Sequence, residues 1–348
     1  MKLIFSILVA VFTIGLVLDP GPASAQCPCE RPPLYPYPGY EKMIREIYDL
    51  QALYPDRVEV SEFGRSVEGR PLLVMRIHRP GGGDKPAAWI GAALHGNEWI
   101  GNRMAMAIAK LLVEQDGKDP LVSEALDRMD FYIAPCLNPD GYYHTAVETC
   151  TDDNRPCRRN ANGVDLNRNF PLPGPRTIPI AWAGSPDPDS LHYRGPEPLS
   201  EPETYALDRF FAEHPEIIGA ISWHSYAAVQ YPAHCETRVC QRRFRRACKA
   251  FKSEQTHLQY PRLQSRFFDS YTGELEDWLY HHYGVMGVNI EIGRKGMNKR
   301  ACNCDDLFYI FNPINPDWWI ENDARAGLAY LLEVHRITGG KRIPEGER

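Results

Sequence analysis

The feature that most restricts the fold of this sequence is an apolar run that ends at a histidine and passes directly into a helical pattern. Residues 87–94 are almost wholly apolar, which is typical of a strand buried on both faces. The segment His95-Gly96-Asn97-Glu98 follows, and residues 99–113 then have the apolar spacing of a buried helix. We therefore predict that His95 and Glu98 lie where a strand ends and a helix begins, the edge at which open α/β sheets bind ligands.

The spacing of His95 and Glu98 suits a metal ion. Zinc accepts both imidazole nitrogen and carboxylate oxygen, and two residues three apart on one turn can bind the same cation. Taken alone, the pair is also compatible with a loop histidine and a glutamate favoured by the helix dipole. A second histidine, His224, ends another apolar run at 217–224 and supplies a third ligand of the zinc type. Three protein ligands leave one position for water, which indicates a catalytic rather than a structural zinc site.

Strand and helix patterns alternate along most of the chain. Strands are also predicted at 58–63, 71–77, 131–137 and 285–292, and helices at 40–53, 99–114, 120–129, 200–214, 241–255, 273–283 and 317–337. The composition of Asn138-Pro139-Asp140-Gly141 predicts a turn, and no periodicity is evident from there to residue 198. The alternation predicts an α/β fold in a single domain, with a mixed, mostly parallel twisted sheet and helices on both faces.

The N-terminus has the composition of an export signal. Lys2 precedes an apolar run at 3–18, and the small residues at 23–25 form a cleavage site. Residues 1–25 are therefore predicted to be a signal peptide, followed by a Cys/Pro-rich arm at 26–37, a folded domain at 38–338 and a polar tail at 339–348. We expect the mature protein to be secreted or periplasmic, with no further membrane segment.

Charge and cysteine content narrow the class of protein further. The net charge of -6 argues against nucleic acid as a partner. Ten cysteines, an even number, fit a disulfide framework in an exported chain. Cys150 with Cys157 and Cys235 with Cys240 are close enough in sequence to pair, and Cys136 is expected to be a buried free thiol in a strand. The pair at 302 and 304 is compatible with a second metal or with disulfides elsewhere.

Two further polar features have the chemistry that a zinc site needs. Alternation along 288–292 places Glu291 at the end of an apolar strand, where partial burial would raise its pKa toward that of a general base. A glutamate in that position is also compatible with a solvated or salt-bridged residue. Arg158 and Arg159 lie in a polar stretch at 157–169, and such guanidinium groups can polarise a carbonyl or bind a carboxylate. The same stretch is compatible with a solvated run of charge.

The motifs, taken in order, resemble the zinc metallocarboxypeptidases of the carboxypeptidase A/B type over residues 38–338. The matching segments are 95–98, 138–141, 157–160, 167–168, 193–203, 224–226 and 289–292. The resemblance implies that residues 38–338 are a zinc carboxypeptidase catalytic domain in which His95, Glu98 and His224 bind one zinc ion. It also implies that Glu291 is the general base and that Arg158 polarises the scissile carbonyl.

The resemblance extends to residues that orient a ligand or bind the substrate. It implies that Asp165 holds His95 through the second ring nitrogen. Asn167 and Arg168 match the pair that binds the terminal carboxylate of the substrate. Tyr226, next to the third ligand, is implied to contact the substrate.

Two implied substrate contacts depart from the family pattern or leave an alternative open. Tyr271 is assigned as the tyrosine of the mobile loop, although Asp269 occupies the strict spacing before Asp277-Trp278. Glu276, two residues before Trp278, matches the base of the specificity pocket. An acidic pocket floor would favour C-terminal Lys or Arg, whereas Glu276 at a helix start is equally compatible with a side chain that points to solvent.

The implied function is hydrolysis of the last peptide bond of peptides or proteins by a monomeric enzyme, with a preference for basic C-terminal residues. One alternative is an enzyme of the same fold that trims a cell-wall peptide ending in diaminopimelate, whose zwitterionic side chain also suits Glu276. A second alternative is a non-catalytic binding protein derived from the peptidase. It is disfavoured because every ligand position and the base are present.

Overall fold

The computed structural model describes residues 35–147, 155–171, 184–263, 273–298 and 308–348. Its strands are β1 (Val58–Arg65), β2 (Pro71–Ile77), β3 (Ala87–Ala92), β4 (Asp130–Ala134), β5 (Ile217–Ser225), β6 (Val229–Pro232) and β7 (Met286–Ile292). Its helices are α1 (Tyr40–Leu53), α2 (Trp99–Glu114), α3 (Pro120–Arg128), α4 (Pro139–Val147), α5 (Arg155–Arg158), α6 (Pro202–Glu213), α7 (Arg238–Glu254), α8 (Leu275–Trp278), α9 (Phe308–Phe311) and α10 (Pro316–Thr338). A 3₁₀ turn spans Leu166–Arg168, a π-helical turn at Leu279–Tyr283 continues α8, and a second 3₁₀ turn spans Glu345–Glu347.

In the described part of the chain, the strands form one seven-stranded sheet in the order β1-β2-β4-β3-β5-β7-β6. The four inner strands β4, β3, β5 and β7 are parallel to one another. β1 pairs antiparallel with β2, β2 with β4, and β6 with β7. Only β2 and β6 therefore run against the common direction. This arrangement confirms the predicted α/β class with a mixed, mostly parallel sheet.

The sheet separates two apolar cores, because successive side chains of each inner strand point to opposite faces. In β3, Ala88 and Ile90 belong to the larger core, which α1, α2, α3, α7 and α10 complete. Ala87 and Trp89 belong to the smaller core, with α6 and α8. The inner strands are thus covered by helices on both faces, as predicted, and their carboxyl ends form one edge.

The structure corrects the sequence interpretation in two loops. Asn138-Pro139-Asp140-Gly141 was expected to be a turn, but α4 begins at Pro139, with the Asn138 side chain accepting a hydrogen bond from the Gly141 amide at 2.9 Å. Asn138 therefore starts a helix whose apolar pattern is too weak to be seen in the sequence. The short strand β6 was missed because four residues carry little alternation.

Other corrections concern element boundaries. The helix predicted at 200–214 starts two residues later, at Pro202, and the Ser200 hydroxyl donates a hydrogen bond to the Glu201 carboxylate at 2.7 Å. β4 ends at Ala134, so Cys136 lies beyond the strand rather than within it. Helices α1, α2 and α10 agree with their predicted ranges to within one residue at each end.

The predictions about disulfide pairs, the free thiol and membrane segments can be compared with the structure where they fall on described residues. The Cys235–Cys240 disulfide is confirmed, with Cα atoms 5.7 Å apart, and Cys136 is a buried free thiol as predicted. Cys157 is disulfide-bonded, but Cys150, the cysteines at 302 and 304, Tyr271 and the signal peptide lie outside the described residues. None of the helices in the described ranges is long and apolar enough to span a membrane.

Candidate metal centre and active site

Two neighbouring strands and one helix bring His95, Glu98 and His224 together. Strands β3 and β5 are adjacent and parallel, with Ala92 opposite Trp223, so the residues that end them meet at the same edge of the sheet. His95 follows β3, Glu98 immediately precedes α2, and His224 is the penultimate residue of β5. All three side chains are buried. Residues that are far apart in the sequence thus converge in one place.

A glycine allows α2 to approach β5 closely. A Cβ atom at Gly101 would lie only 2.7 Å from the backbone oxygen of Trp223, so no larger residue fits there without a shift. Glu98 is the residue before α2, yet its side chain makes no capping hydrogen bond to that helix. Its carboxylate is directed to the two histidines instead.

The ligand set fits a zinc ion. The Nδ1 atom of His95 lies 2.8 Å from Glu98 Oε1, the Nδ1 atom of His224 lies 2.9 Å from Glu98 Oε2, and the two Nδ1 atoms are 3.1 Å apart. One ligand atom from each residue lies within 4.8 Å of the others. The opposite ring nitrogens are held as well, by Asp165 Oδ1 at 3.1 Å from His95 and by Ser222 Oγ at 3.0 Å from His224. Two oriented imidazoles and a carboxylate are a zinc-binding set.

Asp165 connects the first histidine to Arg158. Its Oδ2 atom accepts two hydrogen bonds from the Arg158 guanidinium, at 2.9 and 3.0 Å, while its Oδ1 atom contacts His95. His192 also reaches Oδ2, with Nδ1 at 3.4 Å. Burial would raise the pKa of Asp165, but Arg158 and His95 outweigh it and hold the pKa well below its usual range. A charged Asp165 can therefore fix the orientation of the His95 ring.

Arg158 lies beside the cluster but is not a lone cation facing a cleft. Two of its N–H groups are taken by Asp165, and its Nη1 atom lies 3.8 Å from Glu98 Oε1. The side chain is only 13% exposed. The solvated-charge interpretation of this part of the sequence is therefore wrong for Arg158.

Glu291 lies next to the metal ligands on the neighbouring strand. Strands β5 and β7 are parallel, and Glu291 is the direct register partner of His224. Burial, followed by the charge of Glu98, raises the pKa of Glu291 to about 8. A carboxyl group with a pKa near neutrality can both accept and release a proton, as a general base requires.

Asn167 and Arg168 are in the 3₁₀ turn that follows Asp165. Asn167 is buried, donates its backbone N–H to Asp165 Oδ1 at 3.1 Å and accepts from the Leu275 amide with its side-chain oxygen at 3.0 Å. Arg168 forms an ion pair with Glu274, with Nη1 and Oε1 3.1 Å apart. The turn thus links the metal centre to the start of α8.

Comparison with known proteins agrees with this arrangement. A family model described as zinc carboxypeptidase matches residues 43–318. This chain belongs to the zinc carboxypeptidase family. Among curated proteins it is similar to carboxypeptidase A2 of Rattus norvegicus, with 32% identity over 196 residues that cover 55% of this chain and 45% of that protein. The chain thus matches less than half the length of that relative.

Solved structures of similar fold support the assignment. The structure of thrombin activatable fibrinolysis inhibitor has a TM-score of 0.68 at 25% identity and covers 86% of this chain and 74% of its own. That of carboxypeptidase A from Helicoverpa armigera has a TM-score of 0.65 at 22% identity, covering 86% and 73%. At that lower identity the likeness shows the fold alone.

In this zinc carboxypeptidase family member, Glu276 is buried and does not point to solvent. Its residue is 4% exposed, and its Oε2 atom has no hydrogen-bond partner among the described residues. Burial, then the charges of Glu274 and Asp277, raise the pKa of Glu276 well above its usual range. The solvent-facing alternative for Glu276 is therefore wrong.

Strand β7 connects Glu276 to Glu291. Alternation places Gly287, Asn289 and Glu291 on one face of the strand. A Cβ atom at Gly287 would lie 3.0 Å from the Cα of Glu276, so the glycine lets α8 pack against the start of this face. Asn289 is buried, and its Oδ1 atom lacks a partner among the described residues. Glu276 and Asn289, near the face of β7 that carries Glu291, therefore each have a buried oxygen without a partner among the described residues.

Tyr226 and Tyr271 are the remaining residues that were predicted to contact the substrate. Tyr226 is partly buried and packs edge-on against Phe311, with ring centroids 5.1 Å apart. Tyr271 lies outside the described residues, so its assignment to a mobile loop stays a prediction.

Sequence reasoning missed three residues that contact the site. No sequence pattern singles out His192, but it contacts Asp165. Ser222 is two residues before His224 on the same strand, and this spacing is the one signal that could have indicated it. Glu274 was not singled out, although it pairs with Arg168. Contacts of this kind depend on tertiary packing and leave no local pattern.

Proposed function

We propose that this protein is a zinc-dependent carboxypeptidase that hydrolyses the C-terminal peptide bond of peptides or proteins. The observation that carries the proposal is the buried convergence of His95, Glu98 and His224, with Glu291 beside His224 on the next strand. Family membership supports it, since the curated relative is named a carboxypeptidase. One zinc ion is held by the three ligands.

Zinc, when bound, supplies a Lewis acid that polarises the scissile carbonyl and makes water more acidic. The residues of this chain perform the other tasks. Glu291 accepts the proton of the attacking water on its carboxylate and delivers it to the nitrogen of the leaving amine. Its raised pKa, caused first by burial, makes its carboxylate a stronger base than an ordinary glutamate. Glu291 is only partly exposed, at the end of a strand whose other residues are buried.

Arginines near the metal centre bind negative charge. Arg168 and Asn167 hold the terminal carboxylate of the substrate, which restricts cleavage to the last peptide bond. Arg158 stabilises the oxyanion that develops on the scissile carbonyl. Its Nη1 atom is not among the groups bonded to Asp165 and lies 3.8 Å from Glu98 Oε1. Tyr226 contacts the substrate beside the third ligand, and the loop residue Tyr271 closes over it.

The pocket favours a basic C-terminal residue. Glu276 is an acid with an unpartnered oxygen, and Asn289 offers a second acceptor. A lysine or arginine side chain would supply donors to both, whereas an apolar side chain would leave them unsatisfied, which is costly for buried groups. We further propose that the protein acts as a monomer and that it is secreted or periplasmic after removal of residues 1–25.

A peptide library varied only at its final residue tests the proposal. Purified protein is assayed with and without a chelator, and its metal content is measured before and after. We expect about one zinc per chain, release of the terminal residue alone, loss of activity with the chelator and recovery on adding zinc. Failure to bind zinc, or cleavage at internal bonds, would contradict the assignment.

A second experiment distinguishes peptide substrates from cell-wall substrates. A muropeptide ending in diaminopimelate is assayed beside a peptide ending in lysine, at equal concentration. The proposal expects higher kcat/KM for the lysine peptide. A preference for the muropeptide by tenfold or more would assign the pocket to cell-wall substrates instead.

A further inference from the structure

We propose that Asn169 is a positioning residue for substrate binding. Its side chain fastens the turn Leu166–Arg168 to residues 194–204, and this attachment sets the affinity for the terminal carboxylate of the substrate. The inference rests on the proposed function, because it assumes that Asn167 and Arg168 bind that carboxylate. It also gives a task to the segment 193–203, which matches the family in sequence but provides neither a proposed metal ligand nor the proposed base.

The side chain of Asn169 is completely buried, and both ends of its amide have partners. Three acceptors face its Nδ2 atom: the backbone oxygens of Arg194 at 2.8 Å and Glu197 at 3.0 Å, and Ser200 Oγ at 3.0 Å. Its Oδ1 atom accepts from the Thr204 hydroxyl at 2.6 Å and from the Glu201 backbone N–H at 3.3 Å. Because carbonyl oxygens face the amide nitrogen, an asparagine matches this environment and a carboxylate would not.

The backbone of Asn169 joins the same two segments. Its N–H donates to the Leu166 oxygen at 3.2 Å, which closes the 3₁₀ turn, and its carbonyl accepts from the Leu199 N–H at 2.7 Å. Leu199 has a φ of 58°, a left-handed conformation that is unfavourable for a residue with a Cβ atom. The surrounding contacts therefore impose a strained conformation on the residue that bonds to Asn169.

Gly195 leaves the space that the Asn169 side chain needs. A Cβ atom at Gly195 would lie 2.6 Å from Ser200 Oγ and 2.8 Å from Asn169 Nδ2, so a larger residue would displace two hydrogen-bonding partners. Helix α6, which begins within the same segment, packs closely on β1. A Cβ atom at Gly64 would lie 2.5 Å from the Ala206 Cβ. Asn169 thus joins the turn to a closely packed part of the fold.

The two ends of the turn are attached to different parts of the molecule. Asp165, immediately before the turn, contacts His95 in the metal centre. Asn169, immediately after it, contacts residues 194–204, and none of the side-chain partners given above is a metal ligand. Loss of the Asn169 contacts should therefore loosen the carboxylate-binding pair while zinc remains bound.

The geometry of the turn matters because a guanidinium binds a carboxylate through directed, charge-assisted hydrogen bonds. A small displacement of the turn weakens such bonds. A ligand that carries a C-terminal amide in place of the carboxylate forms no ion pair there. The ratio of the affinities for the free acid and for the amide therefore reports on the attachment, whereas a general loss of stability leaves this ratio unchanged in the folded protein.

Calorimetry with N-acetyl-lysine and N-acetyl-lysinamide measures this ratio. We expect the wild type to prefer the free acid. In Asn169→Ala, which removes the side-chain contacts and adds no charge, the ratio should fall about tenfold. The zinc content of the same preparation should equal that of the wild type, because Asp165 still contacts His95.

Two further variants distinguish positioning from a general loss of stability. Thr204→Val removes the hydrogen bond to Asn169 Oδ1 but keeps the shape of the side chain, and it should lower the ratio about threefold. Asn322→Ala is the matched control. Asn322 is also completely buried, and its Oδ1 atom accepts from the N–H groups of His257 and Leu258 at 2.7 and 2.9 Å. Asn322→Ala should lower the melting temperature but leave the ratio unchanged.

The outcomes separate this inference from the proposed function. If the wild type prefers the free acid and Thr204→Val and any folded Asn169→Ala keep the full preference, the inference is overturned and the proposed function stands. An equal change of the ratio in Asn322→Ala also overturns the inference, because any loosening of the core would then suffice. A wild type that binds the acid and the amide alike contradicts the proposed roles of Asn167 and Arg168 and overturns both.

Discussion

The metal centre and the proposed substrate pocket beside α8, formed by Glu276 and Asn289, differ in how far their polar groups are satisfied. In the metal centre, both ring nitrogens of His95 and His224 and both oxygens of Glu98 have a polar neighbour at 3.1 Å or less. In the pocket, buried oxygens of Glu276 and Asn289 have no partner among the described residues. Unsatisfied buried acceptors destabilise a folded protein unless a ligand supplies the missing donors.

This difference indicates that the metal centre and the proposed pocket have separate roles, in catalysis and in substrate selectivity. The metal centre is preorganised, because the sheet and the contacts of Asp165 and Ser222 fix its ligands before any substrate arrives. In the proposed pocket, acceptors are left open, so under the proposed function its interactions are completed when a cationic side chain enters. The chemistry and the selectivity should therefore respond differently to mutation, and the predictions below test that separation.

The largest effect is expected at Glu291, the proposed general base. Glu291→Gln keeps the shape of the side chain but removes its ability to accept a proton, so kcat should fall by a factor of at least about 100. Zinc content should stay the same, because Glu291 is not one of the three ligands. Metal analysis and steady-state kinetics on one preparation check both. Normal turnover by a variant with full zinc content would show that another group is the base.

A smaller effect is expected from the residue that orients the first histidine. Asp165→Asn removes the charge that faces His95 Nε2 and Arg158, so affinity for zinc should fall by about 10-fold to 100-fold. A competition titration with a zinc chelator measures it. The matched control is Asp56→Asn at an exposed aspartate, for which the affinity should be unchanged. Equal affinity in both variants would mean that His95 needs no partner to bind the metal.

The sequence revealed the metal centre better than the pocket for a physical reason. His95 and His224 each end an apolar run in the sequence. Because the carboxyl ends of adjacent parallel strands lie at the same edge of a sheet, these two runs predict that the histidines lie close together. The burial of Glu276 depends on the packing of the four-residue helix α8 over Gly287. A helix this short has no hydrophobic periodicity from which its packing could be predicted. The choice between a pocket and a solvent-facing side chain therefore needed the structure.

Sequence periodicity was also uninformative in the segment from 138 to 198, where tertiary contacts hold the structure together. The segment from 138 to 198 lacks periodicity, yet it contains α4 and provides Arg158, Asp165 and His192 around the metal ligands. These residues are held by hydrogen bonds to one another rather than by an apolar face. Their residue types indicate their chemistry, and the family resemblance indicated the contact of Asp165 with His95, but no local pattern indicated the contacts of Asp165 with Arg158 and His192.

The next prediction tests the pocket as the source of selectivity. Glu276→Leu replaces a buried acid by an apolar side chain of similar size, so kcat/KM should fall about tenfold for a peptide ending in Arg and rise for one ending in Phe. Zinc content should be unchanged, which separates this effect from that of Asp165→Asn. An unchanged preference between the two peptides would remove Glu276 from the specificity pocket.

The smallest expected effect concerns stability and pH. The pKa of Glu276 is raised in the folded protein above its ordinary value of 4.5, so the folded state holds a proton that the unfolded chain releases as the pH rises. Stability contributed by this group is therefore greatest at low pH and is lost as the pH rises toward the raised pKa. Glu276→Gln abolishes this titration, because the amide is uncharged at every pH.

The melting temperature of Glu276→Gln, measured with a chelator to remove metal, should exceed that of the wild type by about 2–4 °C at pH 8. At pH 4.5 the two proteins should differ less, because the wild-type carboxyl is then protonated without cost. Glu213→Gln, at an exposed ion pair, should show no such pH-dependent gap. A gap of the same size at both pH values would mean that the buried carboxyl has a partner after all. The contrast between a satisfied metal centre and an unsatisfied pocket would then be wrong.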